Sequence, residues 1–197
     1  MCRQRQAVKT KGAPPGRGAL LSSRRVLLRY PQPGDARAFL AMATASQAFH
    51  RPWIYPPDTE EAFLAYAARA DSRTFKGLLV CGREDGHIVG VYNISQIFYG
   101  AFCSAYLGYF ANQAYAGRGL MAEGLGLVLR YAFCLLGLHR LEANIQPGNT
   151  DSIRLVRGVG FRREGFSPKY LKVGGVWRDH ERWALIKEHW RELGNTC

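Results

Sequence analysis

Tyr106-Leu-Gly-Tyr-Phe-Ala-Asn-Gln-Ala-Tyr-Ala-Gly-Arg-Gly-Leu-Met-Ala-Glu123 is the stretch that decides the fold. A strand-like run ends in a loop carrying Gly117 and Gly119, and an apolar-periodic helix opens from the loop at once. That order aims several backbone N–H groups and a helix N-terminus at one place, which suits a phosphate. Glycine lets the backbone approach an anion that a Cβ would hold away. No Gly-Lys-Ser/Thr follows, so this is not a P-loop, and the six-residue dinucleotide fingerprint is absent too.

Outward from this stretch, the chain reads as one sheet with helices. Upstream, a strand is expected at 24–29, ended by Pro31 and Pro33, and a helix at 36–44 capped by Asp35. Asp58-Thr-Glu-Glu61 resembles a capping box before a helix carrying Phe63, Leu64, Tyr66 and Ala67. Between these helices lies an aromatic loop stiffened by prolines, His50-Arg-Pro-Trp-Ile-Tyr-Pro-Pro57. Strands at 74–83 and 87–96 flank the turn signal Glu84-Asp-Gly86, and a third strand covers 103–110. Downstream, the helix from about 119 to 136 places Leu120, Leu125, Val128, Leu129, Ala132 and Phe133 on one face. A strand at 140–146, a helix at 149–159 and strands at 166–173 and 176–185 close the chain. The order β-α-α-β-β-β-α-β-α-β-β implies a mixed α/β fold around one sheet.

A chain of 197 residues, 47% of them hydrophobic, can bury one sizeable core and is short for two domains. We expect a flexible basic tail over 1–19 and a single domain over 20–197. No apolar run approaches the ~20 residues of a membrane span, and the N-terminus lacks the apolar core of a secretory signal. Cys2, Cys81, Cys103, Cys134 and Cys197 are odd in number and without CxxC spacing, which reads as free thiols in a reducing cytoplasm. Cys81, Cys103 and Cys134 lie in apolar runs as small core residues. The net charge is +12, with Arg3, Arg5, Lys9, Lys11 and Arg17 unopposed by any acid in the first twenty residues. Such a balance suits RNA, a ribosome or a phosphorylated cofactor, and equally a well-solvated surface.

The glycine loop is joined by further pieces in a fixed order: Leu138-His-Arg-Leu-Glu-Ala143, Asn149-Thr-Asp-Ser152, Gly160-Phe-Arg-Arg-Glu-Gly165, Tyr170-Leu171 and Val176-Trp-Arg-Asp-His180. In that order and spacing, over roughly residues 22–185, the chain resembles the GNAT acetyltransferases, and within them the RimJ/RimL group that acetylates protein N-termini. The closing Trp-Arg-Asp-His stretch looks most like RimJ. The resemblance implies the GNAT fold, a mixed central β-sheet splayed at its middle with helices on both faces. It implies acetyl-CoA as co-substrate, with the pyrophosphate on the backbone around Ala116, Gly117, Arg118, Gly119, Leu120 and Met121. The pantetheine would pair like an added strand with Gly108, Tyr109, Phe110 and Ala111. No metal is implied. One departure stands out: the family's Arg or Gln three residues before the first glycine is Ala114 here.

Direct attack of an amine on a thioester needs loss of the ammonium proton, donors for the oxyanion and a proton for the departing thiolate. The resemblance places Asn149 against the cofactor and Ser152 near the sulfur, with oxyanion donors from backbone near Phe110. Asn149 and Ser152 also suit a plain helix start. The family's acid before the penultimate-strand tyrosine is Lys169 here, so the base is unassigned and deprotonation through ordered water is expected. Glu142, Glu123, Asp179 and His180 each have sufficient structural explanations as paired or supporting groups. Trp53 and Tyr55 are candidates for an acceptor groove, or for a lid packed on its own domain. Asn93 and Ser95 share one face of the strand beside the central one and are candidates to face the acceptor, and Tyr170 is a groove wall, a donor or a buried ring.

Three functions are open at this point. The first is N-terminal acetylation of a protein, ribosomal proteins included. The second is acetylation of a small amine such as an amino acid, polyamine or antibiotic. The third is a weakly active member binding RNA or the ribosome through its basic surface. The enzyme is expected to be cytoplasmic, off the membrane, and a monomer or homodimer.

Overall fold

The computed structural model describes residues 18–197. The basic segment read over 1–19 lies outside the described residues apart from Gly18 and Ala19, as does Cys2. The chain opens with β1 (Ala19–Ser22) and β2 (Val26–Arg29), then α1 (Ala36–Ala45), α2 (Gln47–His50) and α3 (Glu60–Arg69). Next come β3 (Asp71–Ser72), β4 (Phe75–Gly82), β5 (Ile88–Phe98) and β6 (Ser104–Ala111). The second half holds α4 (Leu120–Arg130), β7 (Arg140–Ile145), α5 (Thr150–Gly158), β8 (Arg162–Val173), β9 (Val176–Ile186) and α6 (Lys187–Glu192).

All strands lie in one sheet in the order β1-β2-β4-β5-β6-β7-β9-β8, with β3 beside β4. Neighbours are antiparallel except β6 and β7, which are parallel. Parallel neighbours need a crossover, and α4 supplies it. The parallel join has only three rungs, Ser104↔Arg140, Ala105↔Leu141 and Tyr106↔Glu142. Beyond them β6 stays with β5 as far as Ala111↔Gly90, while β7 stays with β9 as far as Ile145↔Glu181. The sheet therefore opens into a V after Tyr106 and Glu142.

Each face of the sheet carries its own core. Leu125, Val128, Leu129 and Phe133 from the α4 side pack with Val80, Leu107, Leu141, Val156 and Trp190. On the other face Phe39, Phe63 and Tyr66 of α1 and α3 pack on Leu79, Val91 and Phe110. A Cβ on Gly124 would lie 2.9 Å from both Val80 methyl carbons, so this glycine sets how closely α4 approaches β4.

Several expectations are corrected. β1, α2, β3 and α6 are additional elements: β1 is a four-residue run beside the glycine-rich segment, α2 and β3 are four and two residues long, and α6 follows β9 without a breaker. The helix expected to reach 136 ends at Arg130 and continues as a wider π turn, Tyr131–Leu135, with Leu136 N–H bonded to Tyr131 O at 3.0 Å. Three consecutive buried residues, Tyr131, Ala132 and Phe133, exceed the stripe an α-helix can bury. Asp35 does not cap α1 through its side chain; its carboxylate takes Arg29 at 2.6 and 2.8 Å and the Gln32 N–H at 2.7 Å. Thr59 does cap α3, accepting from Ala62 N–H at 3.2 Å. Cys81 and Cys103 are buried thiols, but Cys134 and Cys197 form a disulfide with Cα atoms 5.4 Å apart. The thiol argument for a reducing compartment therefore drops out.

The β1–β2 hairpin braces α4. Glu123 accepts from Ser23 Oγ at 2.7 Å, Arg25 N–H at 2.8 Å and Arg25 Nε at 2.6 Å. Burial alone would raise the Glu123 pKa, but the Arg25 amide, the Ser23 hydroxyl and the Arg25 guanidinium outweigh it and hold it at about 2. A depressed folded pKa gives stabilisation that is complete above the ordinary value of 4.5 and is lost as pH falls toward 2. Glu123→Gln is expected to lower Tm at pH 7 by about 2–6 °C. The gap from the native chain should then close as pH is lowered through that window; thermal melts showing a pH-independent gap would contradict this role.

Candidate active site

The glycine loop lies at the mouth of the V, between the end of β6 and the start of α4. Gly117 and Gly119 have φ of 73° and 72°, the left-handed region that favours glycine. Gly119 is the residue before α4 and no side chain caps that end. The first-turn N–H groups of α4 therefore lack intrahelical partners, and the helix dipole favours negative charge there. Residues 116–119 are exposed. The loop is braced on all sides. Tyr115 Oη donates to Asp85 at 2.9 Å, Arg25 Nη1 to Arg118 O at 3.1 Å, and the fully buried Tyr92 to Met121 O at 2.8 Å. These features fit a pyrophosphate at the backbone of Ala116–Met121.

The inner edge of β6 fits an extended amide chain. Asn112 N–H bonds Val89 O at 2.8 Å, and alternation along the regular β5–β6 ladder then gives Phe110 and Gly108 to β5. The backbone groups of Tyr109 and Ala111 turn into the V. The amide near Phe110 that is open to an oxyanion is thus that of Ala111. Its carbonyl is met by His50 Nε2 at 2.8 Å, which makes Nε2 the protonated nitrogen.

On the opposite wall, Asn149 Oδ1 accepts from Ser152 N–H at 3.2 Å and so caps α5. Ser152 Oγ lies 2.5 Å from Tyr109 Oη, which also donates to Ser152 O at 3.2 Å. Burial pushes the Tyr109 phenol up to about 12, although the Ser152 contact pulls the other way. The structure thus brings Tyr109, Asn149 and Ser152 together on the α4–α5 side.

The other face of the V belongs to α1, α3 and the aromatic loop. Asn93 stands opposite Gly108 on this face, its Oδ1 taking a hydrogen bond from Tyr66 at 2.9 Å; Ser95 shares the face opposite Tyr106. The aromatic loop crosses from one wall to the other. His50 holds Ala111, while Gln146 Nε2 donates to Trp53 O at 3.4 Å. A Cβ on Gly148 would lie 3.1 Å from the Trp53 ring, and one on Gly174 would collide with Tyr55. Trp53 therefore abuts the entry to α5, and Tyr55 the tip of the β8–β9 hairpin. A half-open pocket of about 60 Å³ is lined by His50, Arg51, Ile54, Tyr55 and Asp58 of this loop with α1 and α2. Tyr170 is hydrogen-bonded to Tyr106, which that bond and then burial push up to about 12.

The acids near the V are committed. Arg140 takes Glu142 at 2.7 Å and Glu164 at 3.0 Å and by a second, shorter contact. Asp179 accepts from Lys169 N–H at 2.7 Å, where Lys169 has φ of 45°, and Glu181 accepts from Trp183 Nε1 at 3.0 Å. Sequence reasoning did not select His50, Tyr66, Tyr106, Asn144 or the buried His180 as site residues. Two of them carry buried acceptors without a partner among the described residues, His50 Nδ1 and Asn144 Oδ1. His180 donates through Nδ1 to Arg178 O at 2.9 Å, packs on Tyr170, and has its pKa lowered by burial, so it is neutral at pH 7. The period-two pattern that placed Glu142 also places Asn144 on this face; no sequence signal marks the others.

Comparison with known proteins settles the family. The profile described as "Acetyltransferase (GNAT) domain" matches residues 25–162. The chain belongs to this family. It is 39% identical over 107 residues to the [Ribosomal protein uS5]-alanine N-acetyltransferase of Escherichia coli, covering 54% of this chain and 55% of that protein. The chain spans a little over half the length of the curated relatives it matches. Mycobacterium smegmatis RimJ in complex with CoA-disulfide is 31% identical, with a TM-score of 0.78 over 87% of this chain and 85% of that one. Spermidine N-acetyltransferase from Vibrio cholerae in complex with CoA and spermine shares the fold alone, at 18% identity and a TM-score of 0.72 over 84% of this chain and 98% of that one. The sheet is the mixed, open sheet of the GNAT fold. No helix among the described residues is long and apolar enough to cross a membrane.

A β-branched side chain at Gly119 has to adopt left-handed φ, at a cost of about 1–2 kcal/mol, and crowds the anion-facing backbone. Gly119→Val is expected to weaken CoA binding about tenfold or more by calorimetry. An unchanged Kd in a folded variant would remove the pyrophosphate from this loop.

Proposed function

We propose that this chain, as one domain over 20–197, transfers acetyl from acetyl-CoA to the N-terminal α-amine of a protein, with ribosomal proteins as the acceptor class. The observation that carries the reading is the V itself, with an anion-accepting loop at its mouth and a lidded polar face on its other side. Bound there, acetyl-CoA supplies the thioester whose acetyl group is transferred.

The chain's own residues divide the work. The backbone of Ala116–Met121 holds the pyrophosphate, and the open edge at Tyr109 aligns the pantetheine amides. The Ala111 N–H is the oxyanion donor. Tyr109 stays protonated at neutral pH and backs Ser152, so the pair can return a proton to the departing sulfur. Asn149 fixes Ser152 by capping α5. Trp53, Tyr55, Asn93 and Tyr170 form the acceptor channel. With Glu142, Glu164, Asp179 and Glu181 all engaged, no strand carboxylate at the V is available as base. The ammonium proton therefore leaves through ordered water.

The same commitment argues against a polyamine. A multiply charged acceptor needs free carboxylates along its path, and the strand acids here face arginines or backbone N–H groups instead. A terminal α-amine with an ordinary pKa of about 7.7–8.0 needs only one proton removed near neutral pH.

Acetyl-CoA turnover, followed by thiol release, is expected with peptides beginning in Ala, Ser or Met and not with polyamines. Its pH profile should rise through about pH 8 with the acceptor amine. Turnover with small amines alone would overturn the acceptor class. A lower inflection that Glu142→Gln removes would overturn the waterborne route. Tyr109→Phe should cut kcat about 100-fold or more while CoA affinity changes little; an unchanged kcat would take Tyr109 and Ser152 out of proton return.

A further inference from the structure

The β8–β9 hairpin outgrows the sheet. β7 pairs with β9 only up to Ile145↔Glu181, whereas the hairpin continues through His180↔Ser167 to Val176↔Val173. Beyond Glu181 it is a two-stranded arm with no third strand beside it among the described residues. Its root carries Tyr170 at the acceptor face and its tip meets Tyr55, so the arm stands at the entrance of the channel.

The sequence of this arm is biased in two ways. It carries Lys169, Lys172 and Arg178 against a single acid, Asp179, whose carboxylate is taken by the Lys169 N–H at 2.7 Å. It also leaves large apolar side chains in solvent: Trp177 is 58% exposed and Phe166 46%, and Val176 and Leu171 are exposed as well. Trp177 lies directly across from Lys172, which puts an aromatic ring and an ammonium side by side on one face. Lysines and a proline on an edge strand are the usual protection against strand-to-strand pairing, and Pro168, Lys169 and Lys172 answer that need. Protection does not account for an exposed tryptophan among them, because a large exposed ring adds the stickiness that the lysines oppose. An excess of cations beside solvent-facing aromatic rings is what single-stranded nucleic acid uses: phosphates pair with the cations and bases stack on the rings.

We propose that this arm binds single-stranded RNA beside the channel, so that an acceptor N-terminus is taken from an RNA-containing assembly. The inference rests on the ribosomal acceptor class proposed above and gives it a surface. Two measurements keep the two readings apart. The first is fluorescence anisotropy of a labelled single-stranded RNA with the full chain over a range of salt. The second is acetylation of a free short peptide.

The native chain is expected to bind RNA with an affinity that falls steeply with salt. Trp177→Ala combined with Lys172→Glu should weaken that binding at least tenfold while peptide acetylation is unchanged. Arg130→Glu, a charge change away from the arm, should leave RNA binding within about twofold. Equal losses in both variants would mean diffuse charge and overturn the proposal. So would no RNA binding, or a sedimentation shift from dimer to monomer in the arm variant, which would make the arm a contact between two copies. If peptides are not acetylated but the arm still binds RNA, the acceptor reading fails and the arm stands.

Discussion

The three-rung parallel join between β6 and β7 is the constraint on which the rest depends. Parallel neighbours cannot be joined by a hairpin, so the chain must cross over, and the crossover helix begins at the end of β6. That end is also where the two strands part. The uncapped start of α4 and the glycine loop are thereby delivered to the opening without any residue being placed there for its side chain. Had the pairing run on to Tyr109 and Ile145, β7 would satisfy the inner edge of β6, and neither an extended amide chain nor an oxyanion could reach it. Short pairing leaves backbone groups unspent, and the site is built from those groups.

Much of this was legible in the chain. Periodicity and turn residues placed β4, β5, β6, the start of α4, and α5, because each is bounded by a strong local signal: the Glu84-Asp-Gly86 turn, Gly117 and Gly119, or Asn149. The V was not legible from local signals, since strand divergence is decided by what each strand packs against rather than by its own residues. It followed only from the family resemblance. β1 and α6 escaped because four residues beside a glycine-rich segment and six residues running on from a strand carry no periodicity of their own. The Cys134–Cys197 pairing escaped for the same reason: it joins positions 63 residues apart that only the packing of α6 brings together.

Electrostatics explain why an acid at the position of Lys169 is not missed by the fold. Lys169 lies in a bulge where its amide, not its side chain, is the structural element, held by Asp179. Asp179 is thereby spent on backbone. Arg140 likewise spends Glu142 and Glu164, which hold it charged, and Glu164 in turn is pulled below the ordinary carboxylate range by that guanidinium. Each strand acid that lines the V has been assigned to geometry. What else stands on the face is the Tyr106–Tyr170 pair, His180, Asn144 and His50, with the Arg182 guanidinium close to Tyr106. A carboxylate already paired is compensated when an acceptor enters, whereas an uncommitted buried carboxylate would have to be paired or protonated.

The lid is the point at which these parts are coupled. Its residues touch three otherwise separate elements: the end of β6 through His50, the entry to α5 through Trp53, and the tip of the β8–β9 arm through Tyr55. Two of these contacts are made at glycines, where a Cβ on Gly148 would press on Trp53 and one on Gly174 would strike Tyr55. Gly148 directly precedes Asn149, whose side chain fixes Ser152. A displacement of Trp53 by an incoming chain therefore acts one residue from the cap that holds the Ser152–Tyr109 pair. A loop packed only on its own helices would have no such reach. Its aromatic rings are set against the backbone of the opposite wall, so occupancy of the acceptor channel and the alignment of the proton-returning pair are parts of one packed unit.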